Sequence, residues 1–269
     1  MPQPVKKWMS LSVLTCSAGT IQVVLSILLF QLCVPSVAIA DEVRIAVAAN
    51  FVSTLREIVA GFERETGHTA VVSSGSSGKL YAQIRHGAPF DVFFSADVAR
   101  PKLLEEEGLA VGGSRITYAV GRLTLWSASP NVVKADGRST LSGPIEHLAM
   151  ANPKTAPYGA AARQTLQVLE LWNQVRDRIV QGENIGQTFQ FVFSQNAPLG
   201  FVALSQVLDA SVNGSGSRWD VPTHLYQPLN QQAVLLVNGR TSEAAHALLE
   251  YVRGAKSRAI IERCGYGLD

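Results

Sequence analysis

From residue 41 onward, short β-branched and apolar runs alternate with stretches whose apolar positions recur every three to four residues, the pattern of strands feeding amphipathic helices. VRIAVAA at 43–49 predicts a strand, and Phe51, Leu55, Ile58, Val59 and Phe62 predict the helix after it. TAVVSS at 69–74 leads through Gly75-Ser76-Ser77-Gly78 into a helix carrying Leu80, Tyr81 and Ile84. HLAMANP at 147–153 passes through a loop from Lys154 to Tyr158 into an alanine-rich helix with Leu166 and Leu169 on its buried stripe. Arg178-Ile179-Val180 gives way to Glu183-Asn184-Ile185-Gly186 and a helix through Phe189, Val192 and Phe193. APLGFVALSQVL at 197–208 supplies a further buried strand and helix start. This alternation predicts α/β units with parallel strands.

In such sheets ligands bind where strand C-termini meet helix N-termini, so the junction residues carry the functional question. The serines at 76 and 77, flanked by glycines, place hydroxyls and bare backbone N–H groups at the positive end of a helix, which makes an anion cradle. The segment is not a Walker loop, because Leu80 follows Lys79 where a Ser or Thr would hold magnesium. Nor is it a nucleophile elbow, since no glycine stands two places after Ser77. Taken singly, Asn50 reads as an ordinary helix N-cap and the Ser-Gly cluster as a turn. Taken together, the junctions offer small residues and amides without requiring a cation, which suits a small, doubly charged oxyanion held by neutral dipoles.

The N-terminus follows different rules. Lys6 and Lys7 precede a long apolar stretch ending in Ala38-Ile39-Ala40, the form of a secretory signal peptide cleaved after Ala40. Left uncleaved, Leu11 to Ala40 is long enough for a membrane anchor, but the A-x-A site directly before Asp41-Glu42 favours cleavage. Neither Cys16 nor Cys33 has the setting of an acylated lipoprotein cysteine. At 47% hydrophobic and 16% charged, the 269-residue chain is too apolar and too balanced for disorder, and a net charge of +2 gives no basic surface for nucleic acid. Cleavage would leave 229 residues and remove both leader lysines but no acid, so the mature net charge is 0. Cys264 then stands alone, unable to form an internal disulfide. His68, His86, His147, His224 and His246 lack metal-ligand spacing, so neither a resident metal nor a cofactor is expected. Asp97 reads as a helix N-cap and Asp91 as a strand-entry residue.

The stretch VVSSGSSGKLYAQIRHGAPFDVFFSAD at 71–97, followed in order by RITYAVGRLTLWS, NPKTAPYG and PLGFVAL, resembles the periplasmic molybdate-binding proteins that feed ABC transporters, over essentially the whole mature chain. The resemblance implies an α/β, two-lobed type II periplasmic-binding fold, each lobe a mixed, mostly parallel sheet flanked by helices, with the ligand in the interlobe cleft. Residues 1–40 are then the signal peptide, 41–120 the first part of lobe I, 121–234 lobe II, and 235–269 the return to lobe I. The crossings are expected near Tyr118–Leu125 and Gln232–Leu236. Carried over by position, the molybdate contacts fall on Ala49, Asn50, Ser77, Tyr158 and Ile185, with Ser76 as a weaker candidate. Ala49 stands where relatives often have serine or threonine, so it has only its backbone N–H to offer. The implied protein is a monomeric periplasmic binding component, not an enzyme. It takes molybdate or tungstate and delivers it to an inner-membrane permease. Alternatives are a receptor for another tetrahedral oxyanion, such as sulfate or phosphate, or a secreted serine hydrolase acting through Ser77. A proton-bearing phosphate favours an acidic acceptor, which none of the four junction loops clearly offers, although Glu183 lies close enough to the fourth to keep that alternative open.

Overall fold

The computed structural model of the protein describes Met1 and residues 40–212 and 215–268. The expected signal peptide and the leader cysteines lie outside the described residues. No helix among the described residues is long and apolar enough to cross a membrane.

The first sheet grows from β1 (Glu42–Ala48), which sends Val43, Ile45 and Val47 to one face and Ala46 to the other, the two-residue period of a strand buried on both sides. It pairs in parallel with β2 (Thr69–Gly75) and β3 (Val92–Ser95). The remaining strands, β4 (Ile116–Gly121) and β10 (Leu229–Leu235), complete the order β2-β1-β3-β10-β4, with β10 antiparallel to both neighbours. Helix α1 (Val52–Thr66) and the C-terminal helices α9 (Glu243–Arg253) and α10 (Ala255–Arg263) share one apolar core with this sheet. Helices α2 (Ser77–Arg85) and α3 (Ala99–Glu106) cover its other face through Leu80, Ile84 and Leu104.

The second sheet repeats the plan. Its order is β7-β6-β8-β5-β9, built from β5 (Leu123–Ser127), β6 (Leu148–Ala151), β7 (Ile179–Gly182), β8 (Leu199–Ala203) and β9 (Ser217–Asp220). The β7-β6-β8 half is parallel and β5 runs antiparallel to both its neighbours. Short α4 (Gly137–Leu141), α5 (Pro157–Val168) and α6 (Trp172–Val175) pack on one side, and α7 (Ile185–Phe193) lies on the other with Val192 against Trp126 and Val202. A single turn, α8 (Leu204–Val207), follows β8.

The chain leaves the first sheet at Gly121 and enters the second at Leu123, with Arg122 between them. It returns between Asp220 and Leu229, which corrects the expected second crossing at Gln232–Leu236 and the lobe II boundary at residue 234. The reason is visible in β10. Ala233, Val234 and Leu235 are fully or almost fully buried against β3, so they form an interior strand of the first sheet and cannot serve as a connection. The register slips between Gln231 and Gln232, but burial still alternates from Leu229 to Ala233; the strand is hidden in the sequence because its buried position 231 carries a polar glutamine.

Candidate functional site

Four strand-to-helix junctions, two from each sheet, converge on one small cavity lined by Ala48–Asn50, Gly75–Ser77, Ala96, Ala156–Tyr158 and Ile185. The site therefore brings together all five predicted contact residues and Ser76. No ionised side chain among the described residues lines it.

The second junction presents the most donors. Ser76 caps α2 in extended geometry and accepts the Lys79 N–H at 3.4 Å, so its hydroxyl oxygen serves the helix end. Ser77 is fully buried, and its Oγ accepts the Ala96 N–H at 3.0 Å. That bond occupies a lone pair and leaves the hydroxyl proton free to be donated. As the first helical residue, Ser77 also has a backbone N–H with no intrahelical acceptor. At Gly78 loops carried by the two sheets touch: its N–H donates to the Thr155 carbonyl at 2.9 Å, and a Cβ there would lie 3.0 Å from Thr155 Cα and O.

At the third junction Pro157 opens α5 in the position where its missing N–H costs nothing. Tyr158 follows, almost fully buried, and its hydroxyl accepts Gln231 Nε2–H at 3.2 Å. Burial and the nearby Tyr266 hydroxyl hold the Tyr158 phenol well above its usual pKa, so it remains protonated and able to donate. Gly121 makes the approach possible, because a side chain there would overlap the Tyr158 hydroxyl. At the fourth junction Asn184 caps α7 by accepting the Gln187 N–H, which leaves the Ile185 N–H at the helix tip without an intrahelical partner.

Two predicted roles change at the first junction. Asn50 does not cap α1: the helix begins at Val52, and the Asn50 Nδ2 group donates instead to Gln231 Oε1 at 2.9 Å and to the Tyr266 hydroxyl at 3.2 Å. Its own N–H finds no acceptor among the described residues. Ala49 was expected to offer its N–H, but that group donates to the Gly75 carbonyl at 2.9 Å, so Ala49 lines the wall and Asn50 supplies the free amide.

Sequence reasoning missed Gln231, Tyr118 and Tyr266, the buried side chains behind Asn50 and Tyr158. Gln231 was legible only as a polar residue inside an apolar strand. Glu183 does not enter the cavity; it is half exposed and ion-paired with Lys79. Asp97 accepts the Arg100 N–H at 3.1 Å and ion-pairs with its guanidinium, a capping contact in the first turn of α3. A wider groove alongside is lined by Ser53, Glu57, Phe189, Asp209, Arg263 and Cys264, but its charges are already used: Arg263 pairs with Glu57, and Asp209 accepts the Ser53 hydroxyl.

The arrangement is a ring of donors with no carboxylate acceptor among the lining residues: the Asn50, Ser77 and Ile185 amides and the Ser77 and Tyr158 hydroxyls, whose oxygens are already engaged by Ala96 and Gln231. It can replace the hydration shell of a small anion without a counter-charge. The family model described as bacterial extracellular solute-binding protein matches residues 43–267. The molybdate-binding protein ModA of Azotobacter vinelandii is 49% identical over 86% of this chain and 91% of its own length. The molybdate-binding protein ModA of Rhodobacter capsulatus is 48% identical over 85% and 89%. The solved structure of the Azotobacter vinelandii periplasmic molybdate-binding protein superposes with a TM-score of 0.80 at 43% identity, covering 84% of this chain and 99% of that one.

Proposed function

The chain belongs to the molybdate-binding proteins within the bacterial extracellular solute-binding family, and from that premise we propose that it captures molybdate, and tungstate with it, in the cleft between its two sheets and delivers it to an ABC permease. On this reading residues 1–40 are a cleaved leader, the mature chain works as a periplasmic monomer, and it binds its anion without transforming it. The observation that carries the proposal is the cavity of donors with no ionised side chain.

Burying a bare dianion costs tens of kcal/mol by Born estimates, so the site must replace water almost completely. Charge-assisted hydrogen bonds return about 1.5–3 kcal/mol each, and each helix N-terminus adds about 0.3–1 kcal/mol, rising to ~2 when partly buried. Asn50, Ser77, Tyr158 and Ile185 supply five such donors in this reading, and α2, α5 and α7 point their positive ends at the cavity. Closure brings the donors together. Gly78 N–H to Thr155 O, the Ser205 hydroxyl to Asn50 O at 3.2 Å and the Lys79–Glu183 pair all join groups carried by different sheets. Discrimination by size follows from fixed donors at the cavity wall, which favour the longer bonds of molybdate and tungstate over sulfate.

The other readings lose support at the same residues. A proton-bearing phosphate needs an acceptor, and Glu183 is turned to Lys79. A hydrolase needs a base on Ser77, whose Oγ has the Ala96 N–H as its partner among the described residues. Calorimetric titration with molybdate, tungstate, sulfate and phosphate tests the assignment. One molybdate and one tungstate should compete for the same site, both more tightly than sulfate; tighter sulfate binding would overturn it.

A further inference from the structure

Behind the cavity, hydrogen-bond polarity is fixed along a chain that begins at a backbone carbonyl. The Asn50 carbonyl can only accept, and it takes the Tyr266 hydroxyl proton at 2.7 Å. With that proton committed, Tyr266 Oη must accept from the Asn50 side chain, so the atom facing it is Nδ2, at 3.2 Å. The same Nδ2 faces Gln231 at 2.9 Å, and the Gln231 atom there must be Oε1, which also lies 2.9 Å from the Tyr118 hydroxyl. Gln231 Nε2 is therefore turned to Tyr158, donates to its hydroxyl at 3.2 Å and leaves the Tyr158 proton free to point elsewhere. Gln231 is fully buried, so no water competes for its amide.

Resting on the oxyanion-binding reading above, we propose that Gln231 is the positioning residue that sets Tyr158 as a donor toward the bound anion, and so makes the cleft select fully deprotonated tetrahedral oxyanions over those that carry a proton. Tyr158 comes from the second sheet and Gln231 from the first, so this setting is completed only when the cleft is shut. A carboxylate at position 231 would take the Tyr158 proton for itself and place a negative charge one side chain from the anion.

The titratable groups facing Gln231 are Tyr118 on β4, Tyr158 on α5 and Tyr266 near the C-terminus; Tyr226, Cys264 and Asp97, the last paired with Arg100, lie beyond them. Burial holds Tyr118, Tyr158 and Tyr266 above the usual tyrosine value, so they stay neutral across the range tested.

The test is titration calorimetry on Gln231→Glu and Gln231→Met, each with and without Tyr158→Phe, across about pH 6–8 and against molybdate, sulfate and inorganic phosphate. The wild-type affinity for molybdate should be flat with pH. Gln231→Glu should bind at least about tenfold more weakly at the alkaline end and recover as pH falls, with proton uptake on binding, because the anion favours the protonated carboxyl. Tyr158→Phe should cost about tenfold in the wild type and no more than about twofold beside Gln231→Met. The inference falls if the Gln231→Glu loss is independent of pH and equal to that of Gln231→Met, or if Tyr158→Phe keeps its full cost in the methionine background. Should Gln231→Glu fail to fold, the uncharged methionine variant carries the test through the double-mutant comparison. Sulfate binding more tightly than molybdate would overturn the molybdate assignment alone, and the Gln231 signature is then read with sulfate. Inorganic phosphate binding as tightly as either would overturn the Gln231 inference itself.

Discussion

Ser77 does two jobs with one hydroxyl, and removing it should separate them. In Ser77→Ala the cavity loses a charge-assisted donor, so molybdate affinity should fall by about 1–3 kcal/mol in a calorimetric titration. The Ala96 N–H loses its buried acceptor as well, so the melting temperature of the ligand-free protein should also drop. Ser76→Ala removes only a long 3.4 Å cap contact, and its effect on affinity should be the smaller of the two. The serine pair was legible in the sequence because flanking glycines and a following amphipathic run mark a helix start. The role of Asn50 was not: its side-chain partner Gln231 is 181 positions away, and nothing local distinguishes an amide that caps a helix from one that reaches across a fold. Ala49 misled for a related reason, since its N–H is taken by a carbonyl on the neighbouring strand.

Among the elements, helix tips matter more than helix bodies. Ile185 is the first residue of α7, a position that tolerates proline, and Asn184 before it is already extended (φ −148°, ψ 174°), as a residue preceding proline must be. Ile185→Pro should therefore keep the helix, by circular dichroism, while weakening molybdate binding by about 1–3 kcal/mol through the lost N–H; Ile185→Ala, which trims the same side chain but retains the amide, should bind more tightly than the proline variant. Gly78→Val should push the start of α2 away from Thr155 and hold the cleft ajar, lowering affinity with little change in melting temperature without ligand. Most strands and helices were readable from period alone, as with β1 into α1 and β6 into α5. The exception was β10, where Gln231 and Gln232 sit at a bulge and two adjacent polar residues disguise an interior strand as a connection.

For the whole molecule, the two sheets meet around a neutral cavity, and that predicts how binding responds to solution conditions. Ligand that binds only the folded, closed form stabilises it by about 2.7 kcal/mol at a hundredfold excess over Kd, which for a chain of this size raises Tm by about 2–4 °C per kcal/mol in calorimetry. Because no charged side chain lines the cavity and the Lys79–Glu183 pair is half exposed, raising NaCl from about 0.05 to 0.5 M should change molybdate affinity by less than about threefold, and Lys79→Ala should cost no more than about 1 kcal/mol. The two-lobed form itself came from the resemblance, carried by residues 71–97 and the colinear stretches after them. Alternation of strands and helices does not say that β10 pairs with β3 and β4, because that pairing is made by residues more than a hundred positions apart. The free amides of Asn50 and Ile185 also carry a consequence for descent. Mutation rewrites side chains and, proline aside, leaves peptide N–H groups in place, so lineages can exchange the letters at 49 and 185 and still inherit the same receptor, whereas at 50 the side chain is also held by Gln231 and Tyr266. Ancestry in this site should be traced through the glycines at 78 and 121, whose missing side chains keep the inherited backbone shape.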